Sequence, residues 1–578
     1  VKTTKRENKS GTVRYLHLAH NEWDPVKGRA VPKVLDSFGR DDDLDRDAIK
    51  RLVASLSRLL EPGEALASTA AGDLEFVSSV PFGGAYVLDH LWRRLRIDQI
   101  VGRVGQPKRG RRRDMTATER VLFGLVANRA LAPSSKLAAA EWLSHDVHVD
   151  ALDTVDDDAC YRAMDWLHEV AGDLEEQFFD EVANLRNLEV DLLFFDTTST
   201  YFEVEDADTP VARDERGMPT GAEDSPAGTA EGEQDGDPGD LAGFRTWGKS
   251  KDSRDDLPQI VIGMAVTRDG IPVRVWSWPG NTGDQRLIRQ VKDDMRDWTL
   301  SKIVWVTDRG FSSTRNRRYL RQGTDAYIIG EKLRSGSAEV QAALSRQGRY
   351  AEIAGNMRVK EVRISETERF VICHNPEAAV RDEHVREQLV AQLTELIADT
   401  DKLSEFKRGE LRGKIADKPG LNRYLRTTPT GKLRVDTARV KAEANLDGKY
   451  LLRCSDPHLS AEDIALGYKQ LLEVERGWRD MKQIIDLRPV YHRREERIRA
   501  HVLLCWLALL LIRIIETTAG TTWTTARREL DRLHLGTFTG PAGQFKQVTA
   551  LTKPQRDLLA KLGVPVPKQI IDLKSAPR

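Results

Sequence analysis

Leu192-Leu193-Phe194-Phe195-Asp196 and Ile303-Val304-Trp305-Val306-Thr307-Asp308 are two short apolar runs, each leading to an aspartate. Short runs rich in aromatic and β-branched residues predict buried strands, because a helix long enough to be stable needs more turns. Ile260 to Val266 and Ile271 to Trp278 flank Asp269-Gly270, a hairpin signal. Thr282 is placed to cap a helix running to about Trp298, and Tyr327-Ile328-Ile329 adds a fifth strand after a basic helix. The order strand, strand, strand, helix, strand, helix, strand predicts an α/β fold with a mixed five-strand sheet and flanking helices. An aspartate ending a buried strand can point into the crevice beside the sheet, although turns and caps also favour Asp.

A third acid points to a site. Ser460 and Asp463 form a capping-box pattern for a helix to about Ile485. Along it Tyr468, Glu475 and Lys482 recur every seven residues, which returns to one stripe with a drift of only ~20°. Leu471, Leu472, Trp478 and Met481 lie beside that stripe and are expected to pack it on the sheet, bringing Glu475 towards Asp196 and Asp308; Glu473 points almost opposite. The plainer reading, Glu475 and Arg479 as an exposed i, i+4 pair, leaves the polar repeat unexplained. Carboxylates without His or Cys suit Mg²⁺ or Mn²⁺, and three of them can hold two ions roughly 3.5 to 4 Å apart for in-line displacement at phosphorus. Lys482 and Tyr468 would then grip flanking phosphates.

Length and charge frame this reading. With 578 residues, 40% hydrophobic and 31% charged, the chain is too apolar for disorder and too polar for a membrane protein. Its longest apolar run, Val502 to Ile512, is eleven residues and falls short of the ~20 that span a bilayer, so a buried helix is expected. Val1-Lys2-Thr3-Thr4 opens without a signal-type stretch. The four cysteines are too scattered for a disulfide framework or a zinc site, and a cytoplasmic setting is expected. Between Glu203 and Asp240 thirteen acids face two arginines, a net −11 that leaves +10 on the remainder. The basic clusters at Lys108 to Arg113, Arg315 to Arg321, Lys407 to Lys414 and Arg493 to Arg499 together favour a nucleic-acid partner.

The expected organisation is a small β/α region over 1–80, with a helix-like run from Asp47 to Leu60. A helical, DNA-binding region follows over 81–188, with Lys108, Arg109, Arg111, Arg112 and Arg113 on a loop. The catalytic core covers 189–330 and 457–517, interrupted by a flexible acidic loop (203–244) and a β-rich insertion (331–456). A polar tail with one more helical piece covers 518–578.

With these motifs in order, the chain resembles the DDE transposases of bacterial insertion sequences, within them the group marked by a Tyr-Arg-Glu-Lys signature. Tyr468, Glu475 and Lys482 match that frame, and Leu471 stands where the family has Arg. Asp308-Arg309-Gly310-Phe311 is similar to the family's turn at the second acid, and Asp196-Thr197-Thr198 to its first. Pro279-Gly280-Asn281-Thr282-Gly283-Asp284 and Ser250-Lys251-Asp252-Ser253-Arg254 are similar to two further family motifs. The resemblance implies a ribonuclease H-like core and a homodimer that pairs two transposon ends on double-stranded DNA. Asp196, Asp308 and Glu475 would bind two Mg²⁺ (or Mn²⁺), with strand cleavage and strand transfer as the reaction. Tyr468, Lys482, Arg479, Lys251 and Arg254 are the expected phosphate contacts, and the Leu471 departure removes the ground for predicting a hairpin intermediate.

Three rivals compete. Gly243 to Ser250 matches the NTPase phosphate-loop pattern letter for letter, but lacks a strand before it and a helix after it, so no nucleotide is expected. The others are a transposase-derived DNA-binding protein without activity, and a ribonuclease H-like nuclease that hydrolyses without joining.

Overall fold

The five strands expected in the centre of the chain are Leu192–Tyr201, Gln259–Val266, Pro272–Pro279, Val304–Thr307 and Ala326–Glu331. The first pairs antiparallel with the second, and the second with the third. On its other side the first pairs parallel with the fourth, and the fourth with the fifth. This is a computed structural model, and it describes residues 2–8, 11–45, 74–107, 109, 111–186, 192–220, 241–296, 298, 302–334, 337–353, 357–364, 369–540 and 543–575.

Four further strands, Ala351–Glu352, Arg358–Arg363, Arg369–His374 and Lys449–Cys454, continue the sheet beyond the fifth, each antiparallel to its neighbour, giving nine strands. Part of the segment 331–456 is therefore an extension of the main sheet. Its short strands have edge backbone groups to satisfy, and the free edge of Ala326–Glu331 satisfies them. The rest of that segment, including the helices Pro376–Ile397 and Glu405–Ala416, closes on its own small core of Leu393, Ile397, Ile415, Tyr424 and Leu433.

Side chains alternate across each strand, and the two faces of the sheet bury different partners. Phe194, Ile262, Val306 and Ile328 pack with Val474, Met481 and the helix Glu495–Ala519. Phe195, Val261, Trp305 and Ile329 pack with Leu287, Ile288 and Val291 of the helix Asp284–Asp294. Asp196 and Asp308 follow the parity of Phe194 and Val306, so both belong to the face covered by the Glu475 helix.

The helix Glu495–Ala519 contains the run Val502 to Ile512. By length and composition it could cross a bilayer, more than the eleven-residue run alone suggests, but 94% of its apolar window is buried within the chain. It is the core helix, and its buried Arg513 bonds Asp480 at 2.7 Å and also pairs with Glu516, to which Arg476 donates at 2.9 Å. Those contacts fix the rotation of the helix that carries Glu475.

Several expectations change. The helix expected from Thr282 to Trp298 is Asp284–Asp294: Thr282 donates its N–H to Pro279 in a turn, and Gly283 is the N-cap. The Ser460 helix keeps its capping box but breaks into Ala461–Lys469 and Leu472–Gln483, so the seven-residue stripe crosses a joint. Leu472, expected on the sheet, is 54% exposed. The acidic loop is pinned at both ends of its described part. Val211 bridges to Ala242, Arg213 pairs with Glu495 at 2.8 Å, and Arg245 donates to Asp208. Residues 221–240 lie outside the described residues, as do the expected helix from Asp47 to Leu60 and Lys108. The tail holds two helices, Trp523–Leu530 and Lys553–Leu562, and three strands.

The chain divides into two units. The smaller comprises Val1–Ser78, Gly536–Gln547 and Ile570–Arg578, and contains an antiparallel sheet of Lys2–Asn8, Gly11–Asp24 and Arg29–Arg40. The larger, Ser79–Leu535 with Val548–Gln569, contains the nine-stranded sheet and the helical region that begins at Gly83.

Candidate active site

Asp196 and Asp308 sit on neighbouring parallel strands, one residue beyond the last paired rung, Phe195 with Thr307. Neighbouring strands lie ~4.8 Å apart, so the two carboxylates leave the sheet side by side. Burial, with Asp308 and Asp284 adding repulsion, pushes the Asp196 carboxyl up to about 6, against the pull of the Lys251 ammonium and the Thr197 amide. Tyr468 donates its hydroxyl to Asp308 Oδ1 at 3.2 Å, and burial together with that carboxylate holds the phenol well above its ordinary value. Gly330 makes this reach possible, since a Cβ there would collide with the Tyr468 hydroxyl.

The two threonines after Asp196 divide between the faces. Thr198 accepts from Lys482 Nζ at 2.9 Å, and the same ammonium donates to Asp252 at 2.8 Å. Arg488 donates to the other oxygen of Asp252 at 3.0 Å. Burial lowers the Lys482 pKa, and the hydrogen bond to Asp252 opposes that shift. On the opposite side Thr197 donates to Asp284 at 2.8 Å. Lys251 donates to the Thr197 carbonyl at 2.7 Å, contacts its hydroxyl, and pairs with Asp284 at 3.4 Å. Its backbone N–H is held by Ser199 at 2.8 Å. Arg254 donates to Asp256 and lies over Tyr201, 5.0 Å from the ring centre, with Arg488 over the same ring at 4.7 Å.

Glu475 is exposed on the first turn of Leu472–Gln483, and neither it nor Arg479 has an ion-pair partner among the described residues, so the i, i+4 pair does not form. Val474, Gly477, Trp478 and Met481 are the buried face. At about 100° per residue, Glu475 and Lys482 share one flank of that face, while Arg476 and Asp480 occupy the other. Glu475 stands about 10 Å back along the helix axis from Lys482, on the helix that covers the Asp196 face of the sheet. The three acids do not close into a ready cluster: among the described residues no three His, Cys, Asp or Glu side chains converge on a point that a metal ion could fill. Asp196 and Asp308 fit such an ion as hard, mutually repelling oxygen donors, and Glu475 has an unengaged carboxylate on the facing helix.

Leu471, at the signature's Arg position, is only 8% exposed and packs in the main core at the joint between the two helices. Arg109, Arg111, Arg112 and Arg113 are on an exposed loop between the helices Ile97–Val104 and Thr116–Leu131, where a loop was expected. The phosphate-loop pattern is not a phosphate loop. The Thr246 N–H donates to Gln259, the Arg245 N–H to Asp208, and no helix follows. Gly248 is required by close backbone approach, since a Cβ there would overlap the Gly280 carbonyl. Sequence reasoning quoted Thr197, Thr198, Asp252 and Asp284 within motifs without giving them a part in the site, and missed Arg488. The run Asp196-Thr197-Thr198-Ser199-Thr200, hydroxyls within a buried strand, is the signal that could have found the two threonines.

Residues 261–511 match the family model described as a transposase DDE domain, a span containing Asp308 and Glu475 and beginning after Asp196. Residues 1–67 match the N-terminal domain of IS1634 family transposases. The chain is an insertion-sequence transposase of the DDE type, a DNA-transposing enzyme. Comparison with curated proteins gives no match. Among solved structures, the cryo-EM structure described as the piggyBac transposase synaptic complex with hairpin DNA is similar at 11% identity, over 77% of this chain and 78% of that chain, with a TM-score of 0.33.

Proposed function

We propose that Asp196, Asp308 and Glu475 form the catalytic set of this transposase and hold two divalent ions, Mg²⁺ or Mn²⁺, at the strand ends of a ribonuclease H-like core. The observation that supports this most is the adjacency of Asp196 and Asp308, with Lys482 fixing the Glu475 helix onto Thr198, two residues beyond Asp196. Bound ions would supply an activated water or 3′-hydroxyl and neutralise the departing oxygen. The chain's own groups do the rest. Tyr468 orients Asp308 through its hydroxyl. Lys482, Lys251, Arg254 and Arg479 present positive charge around the crevice for phosphates, while Arg109 to Arg113 add a basic loop elsewhere on the helical region. Glu475 reaches its working position when charge enters the crevice, because an exposed carboxylate on a fixed helix needs only rotamer changes to turn inward. The substrate reading is double-stranded DNA at the element ends and at the target, handled by a homodimer in the cytoplasm.

Asp196→Ala, Asp308→Ala and Glu475→Ala should each abolish cleavage of end-containing DNA while binding persists in a gel-shift assay. A variant that still cuts at the wild-type rate removes that residue from the set. Cleavage without joined products would favour a nuclease over a transposase activity at this site.

A further inference from the structure

We infer that Lys251 is the resident counter-ion of the Asp196–Asp308 pair: in the metal-free protein its ammonium, tethered by Asp284 and Thr197, offsets part of the charge that a divalent ion balances in the loaded site. This rests on the assignment of that pair as metal ligands.

Two adjacent carboxylates, with Asp284 a third acid close by, need positive charge when no metal is bound. On the Glu475 side Lys482 and Arg488 both bond Asp252. Lys251 is the cation held beside Asp196 through the next residue. Its ammonium sits on the carbonyl and hydroxyl of Thr197, the residue after Asp196, and pairs with Asp284 at 3.4 Å. It is also the strongest of the influences that favour the ionised form of Asp196. Asp284 touches both strand ends, accepting from Thr197 at 2.8 Å and lying beside Gly310 in the turn after Asp308. The Lys251 backbone is fixed by Ser199, while its side chain is 37% exposed. The anchor is rigid and the stem can swing: an ammonium so mounted yields its place to a divalent ion without the loop moving.

The test is Mn²⁺ binding to the full-length, DNA-free protein by titration calorimetry. Lys251→Met removes the competing charge and should bind Mn²⁺ on the order of tenfold more tightly than wild type, the scale expected for one unit charge near a divalent ion in a solvated crevice. Lys251→Arg keeps the charge and should bind as wild type does. Lys251→Met binding no more tightly than wild type overturns the inference. Asp196→Asn separates the two levels of the argument: if it binds Mn²⁺ like wild type, the metal-site assignment itself fails. A second readout needs no variant. Acetylation of Lys251 by an N-hydroxysuccinimide ester, followed by mass spectrometry, should quicken when Mn²⁺ is added, and an unchanged rate contradicts release of the ammonium.

Discussion

Asp196→Asn should make the metal-free protein more stable at neutral pH, although it removes a residue of the proposed catalytic set. Burial and the neighbouring carboxylates push the folded-state pKa of Asp196 up to about 6 from an ordinary value of 3.8. A group whose folded pKa is raised holds its proton more tightly when folded. The penalty is therefore absent below pH 4, grows as pH rises towards 6, and is complete above it. A shift of this size corresponds to at most about 3 kcal/mol. In a unit this large each kcal/mol moves the melting temperature by only ~1–2 °C, extending the size trend, so the expected gain is a few degrees. The assay is scanning calorimetry in EDTA at pH 8 and pH 4.5. The variant should melt higher than wild type at pH 8, with the gap closing at pH 4.5, and Mn²⁺ should stabilise the wild type alone. A variant melting at or below the wild-type temperature at pH 8 would refute the reasoning, because it would mean that the Asp196 carboxylate is already well compensated.

Gly330→Ala should cost about 1–3 kcal/mol in urea denaturation, since the new methyl meets the Tyr468 hydroxyl; adding Tyr468→Phe should recover part of the loss, and no recovery would point to backbone strain instead. Arg513→Met takes the guanidinium from half-buried Asp480 and leaves buried Glu516 with Arg476 alone, and should lower stability by about 3–5 kcal/mol and loosen the helix that carries Glu475, seen as faster amide exchange over 472–483. DNA binding should weaken steeply between about 50 and 200 mM salt if the basic groups contact phosphates; Arg111→Ala with Arg112→Ala should flatten that slope, and an unchanged slope would remove the loop from the DNA surface.

The five central strands were legible because their apolar runs are short and separated by turn chemistry, as strands buried on both faces of a sheet are. The aspartates at their ends were legible for the same reason. The joint at Gln470 and Leu471 was not, since Ser460 to Ile485 reads as one periodic stretch and only packing of Leu471 into the core breaks it. Nor was the role of Asp284 visible: at the start of a helix it reads as a favourable first-turn acid, and its contact with Thr197 depends on bringing together residues 87 apart in the chain. The segment 331–456 misled for a related reason, because pairing of Lys449–Cys454 with Ala326–Glu331 is a long-range choice that local pattern does not encode.

The most direct test is a crystal structure of the enzyme with Mn²⁺ and DNA carrying its element end, with the ions located by anomalous scattering. The account predicts the Glu475 carboxylate on an ion at about 2.2 Å, together with Asp196 and Asp308, and Lys251 withdrawn from the crevice. Ions held by Asp196, Asp308 and Asp284, with Glu475 still facing solvent, would contradict it.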